Sequence, residues 1–208
     1  LAPFLGAVAD RGGIKKPLMA IFVALGVCAT LLLTLVGENQ WQLAMFAFVL
    51  AVVGFLGANI FYDSLLVDVA EEKDFNRVSA LGYGLGYLGG GLLFLLCVLM
   101  TLHPEWFHLG SDKVSAVRWA FGVTAVWWAL FSIPLWLLVH QRKTNTASTR
   151  PAIGRLMAEG WRDFIDTFRH IRQLKSVGLF LLAYWFYIDG VDTVIVMSVD
   201  YGQTLGFP

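Results

Sequence analysis

The sequence predicts an all-α protein that crosses a membrane several times, as a helical bundle that is incomplete at both ends. Hydrophobic residues make up 58% of the 208 positions and charged residues only 14%. A typical soluble domain is about half apolar and a quarter charged, so this composition suits lipid better than water. The apolar residues form long blocks, and most charged residues lie in the short stretches between them.

The first predicted element is part of a helix. Residues 1–9 are apolar, but they supply fewer than half of the roughly 20 residues that span a bilayer. They also lack the basic leader of a signal peptide. We therefore expect the chain to begin partway through a helix.

Residues 5–17, LGAVADRGGIKKP, predict a tight loop between two membrane helices. Gly6 permits close helix contact, and Gly13, preceded by another glycine, allows the chain to reverse. Pro17 suits the first turn of the helix that follows. A generic basic loop would carry the same charge, so the spacing of the charged residues is what favours a specific motif. Those residues are Asp10, Arg11, Lys15 and Lys16.

Five apolar blocks are long enough to span a bilayer as complete helices. They are residues 17–36, 41–62, 78–102, 119–139 and 176–199. The predicted connections between the first four are residues 37–40, 68–77 and 103–118. Trp41 stands at the edge of its block, where interfacial aromatic residues are enriched.

A polar linker and an amphipathic helix separate the fourth complete span from the fifth. Residues 144–151 are rich in Ser and Thr and show no apolar period, which indicates a flexible linker. Between residues 153 and 174, apolar residues recur at helical spacing and four arginines occupy other faces. This helix should lie on the membrane surface, either as an elbow between two bundles or as a regulatory or partner-binding element.

The placement of Lys and Arg predicts the orientation of the bundle. If residues 5–17 are cytoplasmic, residues 68–77 and 140–175 are cytoplasmic as well. These three segments hold three, two and eight of the fifteen basic residues, which leaves only Lys113 and Arg118 outside. Basic residues are enriched in cytoplasmic loops, so we expect this orientation.

One candidate functional group lies near the predicted cytoplasmic end of the second complete span. Asn59 and Asp63 are four residues apart, so both can face the bundle interior, and Asp68 follows just beyond. A carboxylate close to hydrocarbon is costly unless it is paired or hydrated. The group therefore marks either a gate, with Arg11 or Arg77 as a partner, or an ion path.

A second candidate group lies in the last span. Asp189 and Asp192 are three residues apart on one helix face, with Tyr184 and Tyr187 nearby. An acidic residue near the middle of a span is a candidate for a substrate or proton path, and Gly190 could loosen the helix there. The alternative is that these acidic residues mark an early helix end that faces outside water.

Three glycines predict close helix packing. Gly82, Gly86 and Gly90 fall four residues apart on one face of the third complete span. Small residues at this spacing let two helices approach closely in a membrane. The face either allows sliding and rocking against a neighbouring helix or packs statically.

The loop motif resembles a known family. The spacing Gly6-x-x-x-Asp10-Arg11-x-Gly13, followed by two lysines, resembles the conserved loop between the second and third helices of major facilitator superfamily transporters. The usual motif has a basic residue directly after its second glycine, whereas Ile14 stands there in this chain. The resemblance implies a major facilitator-type bundle of which the chain holds helices two to seven. The long basic linker matches the cytoplasmic loop between the two six-helix halves of such transporters.

Three further segments resemble one branch of that superfamily, the UMF1 family, which is related to the vacuolar Atg22-type amino-acid effluxers. They read FYDSLLVDVA, RVSALGYGLGYLGGG and FYIDGVDT. The resemblance implies a secondary active transporter in the plasma membrane that moves a small solute by alternating access, with amino-acid efflux by analogy. It divides the chain into most of an N-terminal bundle, a cytoplasmic linker with the interfacial helix, and the first helix of a C-terminal bundle. These are residues 1–143, 144–175 and 176–208.

We expect a small-molecule substrate, the lipid bilayer and, if transport is coupled, a proton or cation as partners, with no nucleic acid, metal or cofactor. A membrane enzyme is disfavoured because the sequence has no paired metal-binding histidines and no GKS or GKT phosphate loop. Cys28 and Cys97 show neither disulfide nor metal spacing. A non-transporting scaffold or receptor remains the other alternative, and a flux measurement separates it from a transporter.

Overall fold

The computed structural model describes residues 6, 9, 13–109, 113–139, 158, 160–162, 165–166, 169 and 174–206. Within these ranges the secondary structure is helical, which confirms the all-α prediction. The α-helices are α1 (Lys15–Thr34), α2 (Trp41–Ser64), α3 (Leu66–Val69), α4 (Phe75–Leu102), α5 (Lys113–Leu138) and α6 (Lys175–Thr204). Short 3-10 helices lie at Glu72–Asp74 and Pro104–Phe107.

Five helical segments are long and apolar enough to cross a membrane, in agreement with the predicted number of complete spans. They correspond to α1, α2 with α3, α4 with the preceding 3-10 turn, α5 and α6. The chain divides into two compact units, Leu1–Met157 and Ala158–Pro208, so α1 to α5 belong to the first unit and α6 to the second. The protein is therefore a multi-pass helical membrane protein.

The predicted loop boundaries need correction at several charged ends. The predicted loop 68–77 contains the end of α3, a 3-10 turn and the start of α4 at Phe75. The predicted loop 103–118 contains a 3-10 turn and the first residues of α5, which begins at Lys113. Helix α6 ends at Thr204, beyond the predicted end at residue 199. Charged residues end the apolar pattern at the membrane surface, but they do not end the backbone hydrogen bonding of a helix.

The core of the first unit is the crossing of α1 and α2, which approach at glycines. A Cβ placed on Gly54 would lie 2.5 Å from the Cα of Gly26, and one placed on Gly57 would overlap the ring of Phe22. These positions therefore allow backbone contact that any larger residue would prevent. Toward the start of α1 and the end of α2, Phe61 is fully buried, and the Phe22 and Phe61 rings lie 5.8 Å apart.

Helix α5 covers α1, and α4 packs on α5. A Cβ on Gly26 would overlap the indole of Trp128, whose ring meets Phe55 edge to face at 6.0 Å. One turn earlier on α5, the hydroxyl of Thr124 lies 3.9 Å from Sγ of Cys97 on α4. Most other α4 side chains are exposed, and Met100 is the one buried residue of that helix.

The predicted glycine contacts are not found among the described residues, so close packing at these glycines stays a prediction. No described atom of another residue lies within 4 Å of a Cβ built on Gly86 or Gly90, and Gly82 meets only the hydroxyl of Tyr62, at 3.2 Å. Gly6 likewise has no such neighbour within 4 Å. The close packing predicted for these positions is not made among the described residues, because α2 approaches α1 rather than the glycine face of α4.

The predicted amphipathic helix, residues 153–174, lies mostly outside the described residues. Seven described positions between residues 158 and 169 are helical. Trp161, Arg162 and Arg169 are exposed, and Gly160 is buried. The position of this helix on a membrane surface stays a prediction. The division of the chain into three parts at residues 143 and 175 also stays a prediction.

Candidate functional site

The candidate site lies where α1 begins and where α2 and α5 end. Gly13 precedes α1 with a φ of +59°, in the left-handed region where a residue with a Cβ is strained. The amide of Ile14 then donates a hydrogen bond of 3.1 Å to the carbonyl of Ala9. This turn brings Lys15 and Lys16 into the first turn of α1, beside the two helix ends. We call this part of the unit the lysine end.

Lys15 joins α1 to the end of α2. Its Nζ donates a hydrogen bond of 3.2 Å to the carbonyl of Ser64, the last residue of α2. The same nitrogen lies 3.5 Å from Oδ2 of Asp68, and the two side chains are only 9% and 11% exposed. A cation is favoured at a helix C-terminus, where unpaired carbonyls carry partial negative charge. Lys15 therefore satisfies a helix end and balances a buried carboxylate.

The contact between Lys15 and Asp68 is an ion pair without an oriented hydrogen bond. Oδ2 of Asp68 is buried and has no hydrogen-bond partner among the described residues. Its charge therefore depends on the nearby ammonium group for compensation. Removing one member of a buried pair leaves the other as an uncompensated charge, which makes the two residues interdependent.

Lys16 joins α1 to the end of α5. Its Nζ donates hydrogen bonds of 3.0 Å to the carbonyl of Trp136 and 2.7 Å to the carbonyl of Val139. Trp136 lies in the last turn of α5 and Val139 directly follows that helix, where carbonyls lack intrahelical donors. Two adjacent lysines thus tie the start of one helix to the ends of two others.

A cavity of about 420 Å³ lies beside the lysine end. Asp63 lines it together with Tyr62 and Gly82, and the apolar part of its wall comes from α3, α4 and the end of α5. Asp63 is exposed and makes no ion pair or hydrogen bond through its side chain within the described residues, whereas Asn59, one turn earlier, is half-buried. A pocket of this size with one carboxylate can admit water or a small solute.

Arg77, one predicted partner of the acidic group, is not paired with it in the structure, so its role in a gate stays a prediction. Arg77 is exposed and makes no ion pair with Asp63 or Asp68, although all three residues are described. Lys15 occupies that position for Asp68 because it lies on the helix whose first turn meets the end of α2. The other predicted partner, Arg11, lies outside the described residues, as does Asp10 of the same loop.

The second predicted group lies on α6, which is a continuous helix through this region. Asp189, Asp192, Tyr184 and Tyr187 are all exposed. The helix continues to Thr204, so the alternative of an early helix end at these acidic residues is wrong. Gly190 does not interrupt the helix, and the hydroxyl of Thr193 donates a hydrogen bond of 2.8 Å to the carbonyl of Asp189. The substrate or proton path through these residues stays a prediction.

The part of the chain that the structure describes contains no cluster of three or more His, Cys, Asp or Glu residues that could hold a metal ion. The lysine end is also not built for acid-base chemistry on a substrate, because its two amines are occupied by helix ends. Its geometry instead serves to hold helices together. The lysines could be identified from the sequence, but their hydrogen-bond acceptors could not, because these acceptors are backbone carbonyls.

Comparison with known proteins identifies a family. The family described as "Vacuole effluxer Atg22 like" matches residues 1–205. The chain is 40% identical over 206 residues to "Uncharacterized MFS-type transporter YxiO" of Bacillus subtilis, with 99% of this chain and 47% of that protein covered. The chain therefore spans about half the length of this relative.

More distant relatives are fungal. The chain is 31% identical over 146 residues to "Autophagy-related protein 22-1" of Neosartorya fischeri, with 66% of this chain and 23% of that protein covered. It is 28% identical over 143 residues to "Autophagy-related protein 22" of Yarrowia lipolytica, with 61% and 23% covered. No solved structure matches the chain.

Proposed function

The chain belongs to the Atg22-like family of vacuole effluxers, and from this we propose that it is part of a secondary active transporter. The transporter moves a small solute across a membrane by alternating access. The observation that carries the proposal is the family match over residues 1–205, in a chain with five helices long enough to span a bilayer. A relative described as a transporter of the major facilitator type supports it.

We propose that the lysine end faces the cytoplasm and that the bundle lies in the plasma membrane. The orientation is supported by the thirteen of fifteen basic residues that it assigns to the cytoplasmic side. Lys15 and Lys16 then hold α1, α2 and α5 together at that side. In alternating access these three helices move as one body while other helices change their contacts.

Asp63, Asp68 and Arg77 act in this proposal as the described part of a cytoplasmic gate, together with Asp10 and Arg11 of the loop. Asp63 borders the cavity beside the lysine end and has no side-chain partner among the described residues, so its carboxylate is available to pair when the gate closes. The solute or proton path includes Asn59 and the acidic and aromatic residues of α6. The latter are Tyr184, Tyr187, Asp189 and Asp192.

The proposed substrate is an amino acid, and the proposed direction is efflux. The word effluxer in the family description supports the direction. The amino-acid assignment rests on the resemblance of FYDSLLVDVA and FYIDGVDT to the UMF1 and Atg22-type proteins. A non-transporting scaffold or receptor would share the same helices but would produce no flux.

The test is flux through the full-length protein reconstituted in proteoliposomes, measured with a panel of labelled amino acids. Wild type should exchange at least one of them, and Asp189→Asn should lower the rate at least tenfold while membrane insertion is unchanged. Glu72→Gln is the matched control, because Glu72 is an exposed acid in the turn before α4 and should leave the rate unaltered. Absence of flux for every solute tested with wild-type protein would favour the scaffold or receptor.

A further inference from the structure

Arg118 has a position that the transport proposal does not explain. It lies in the second turn of α5, at the end of the bundle opposite the lysine end, where α5 meets the end of α1. A Cβ on Gly122, one turn further along α5, would lie 3.4 Å from Cγ2 of Thr34, the last residue of α1. Arg118 therefore lies one helical turn from this crossing, and it is half-buried there.

The guanidinium of Arg118 has no partner within the described residues. The residue is half-buried, yet it makes no hydrogen bond or ion pair with them. Glu38, in the loop after α1, is exposed and forms no ion pair with it. A guanidinium has five N–H donors, and an arginine at the edge of hydrocarbon is costly unless an acceptor is supplied. These N–H donors are therefore open to an acceptor from outside the described residues.

Two apolar grooves meet at Arg118. One has a volume of about 580 Å³ and is lined by residues that include Met45, Phe48 and Phe121. The other has a volume of about 630 Å³ and is lined by residues that include Leu35, Trp119 and Val126. Arg118 borders both grooves and, among the described residues that line them, is the one that carries a charge. Arg118 thus places a single positive charge between two apolar grooves.

We propose that this site binds one glycerophospholipid, with its phosphate on Arg118 and its acyl chains in the two grooves. Charge complementarity selects the occupant, because arginine pairs with phosphate through two parallel hydrogen bonds. Trp119 lies beside the arginine and is 60% exposed, as befits an aromatic residue at the headgroup level. The site lies in the leaflet opposite the lysine end, and its occupation does not depend on which solute is transported.

The test uses the full-length protein, delipidated in detergent and titrated with dioleoylphosphatidylglycerol. Native mass spectrometry should show a saturable adduct of one lipid, and the same lipid should raise the thermal midpoint. Arg118→Gln should weaken this binding about tenfold or more, since the charge-assisted pair is lost. Arg118→Lys should bind with intermediate affinity, because it keeps the charge but not the bidentate geometry.

Two probes and two variants separate this site from general lipid adhesion. Dioleoylglycerol, which has no phosphate, and inorganic phosphate, which has no acyl chains, should each fail to produce the effect. Val126→Trp keeps Arg118 and narrows one groove, so it should also weaken binding. Lys73→Gln removes an exposed charge elsewhere in the same unit and should bind lipid like wild type.

The proposal is overturned if Arg118→Gln, eluting as a single folded species, binds phosphatidylglycerol as tightly as wild type. It is also overturned if dioleoylglycerol binds equally well. The same conclusion follows if the full-length wild-type protein forms no saturable adduct.

Discussion

Replacing Lys15 with Met should destabilise the protein through the charge that it leaves behind. The substitution keeps the length of the side chain but removes the ammonium 3.5 Å from Asp68 and the hydrogen bond to Ser64. Both members of the ion pair are about nine-tenths buried. Removing one partner of a buried pair costs about 3–5 kcal/mol, because the remaining carboxylate has no compensating charge.

The assay is thermal unfolding of the full-length protein in detergent, followed by intrinsic tryptophan fluorescence. A loss of about 3 kcal/mol lowers the midpoint by roughly 5 °C or more in a protein of this class. The double variant Lys15→Met with Asp68→Leu removes both charges and should regain most of that loss. It should retain a deficit of about 1 kcal/mol from the missing hydrogen bond to the α2 carbonyl.

Lys73→Met is the matched control. Lys73 lies 2.7 Å from Glu71, closer than Lys15 lies to Asp68, but its side chain is 74% exposed. An exposed pair contributes about 0–1 kcal/mol, so this variant should unfold close to wild type. The reasoning is refuted if Lys73→Met costs as much as Lys15→Met, or if the double variant is no more stable than Lys15→Met.

Three further variants test other contacts by the same thermal measurement. Lys16→Met should cost about 1–2 kcal/mol, because two charge-assisted bonds to the end of α5 are lost at a partly exposed site; a stability equal to wild type would mean that water replaces the lysine fully. Gly54→Leu should prevent the α1–α2 contact and abolish the monodisperse folded species in size-exclusion chromatography. Gly86→Ala, whose added Cβ would have no neighbour within 4 Å, should be neutral or stabilising by up to about 1 kcal/mol. A large loss of stability from Gly86→Ala would show that this face is packed in the full-length protein. Gly13→Ala should cost about 1–2 kcal/mol because φ is +59° there, and an unchanged midpoint would show that the loop adopts another conformation.

The helices were predictable because apolar length and period are properties of a single segment. The block at residues 41–62 corresponds to α2, which extends only two residues further, to Ser64. The helix ends were less predictable, because hydropathy reports where hydrocarbon begins and not where hydrogen bonding stops. Lys113 and Arg118 are polar enough to read as loop, yet both lie within α5.

The lysine end shows what a residue pattern omits. The sequence identifies two lysines at a membrane boundary, but the atoms that receive their hydrogen bonds are carbonyls of Ser64, Trp136 and Val139. Every residue has such a carbonyl, so no residue type marks the acceptor. It was predictable that Asp68 would need a cationic partner, but it was not predictable that this partner would be Lys15.

The glycines show a related limit of predicting helix contacts from sequence spacing. Gly82, Gly86 and Gly90 have the regular spacing expected of a packing face, whereas the actual contact joins Gly26 to Gly54. A small residue permits a close approach but does not say which helix makes it. That choice depends on the neighbours, which the spacing within one segment does not specify.

The adjacent positions of Lys15 and Lys16 also fix the angle of α1 about its own axis. Successive residues of a helix project about 100° apart, so the two amines reach two different helices only at one rotational setting. A one-residue insertion between Gly13 and Lys15 would turn both amines away from their acceptors at once. Any large motion within this unit must therefore carry α1 along without rotating it about its own axis.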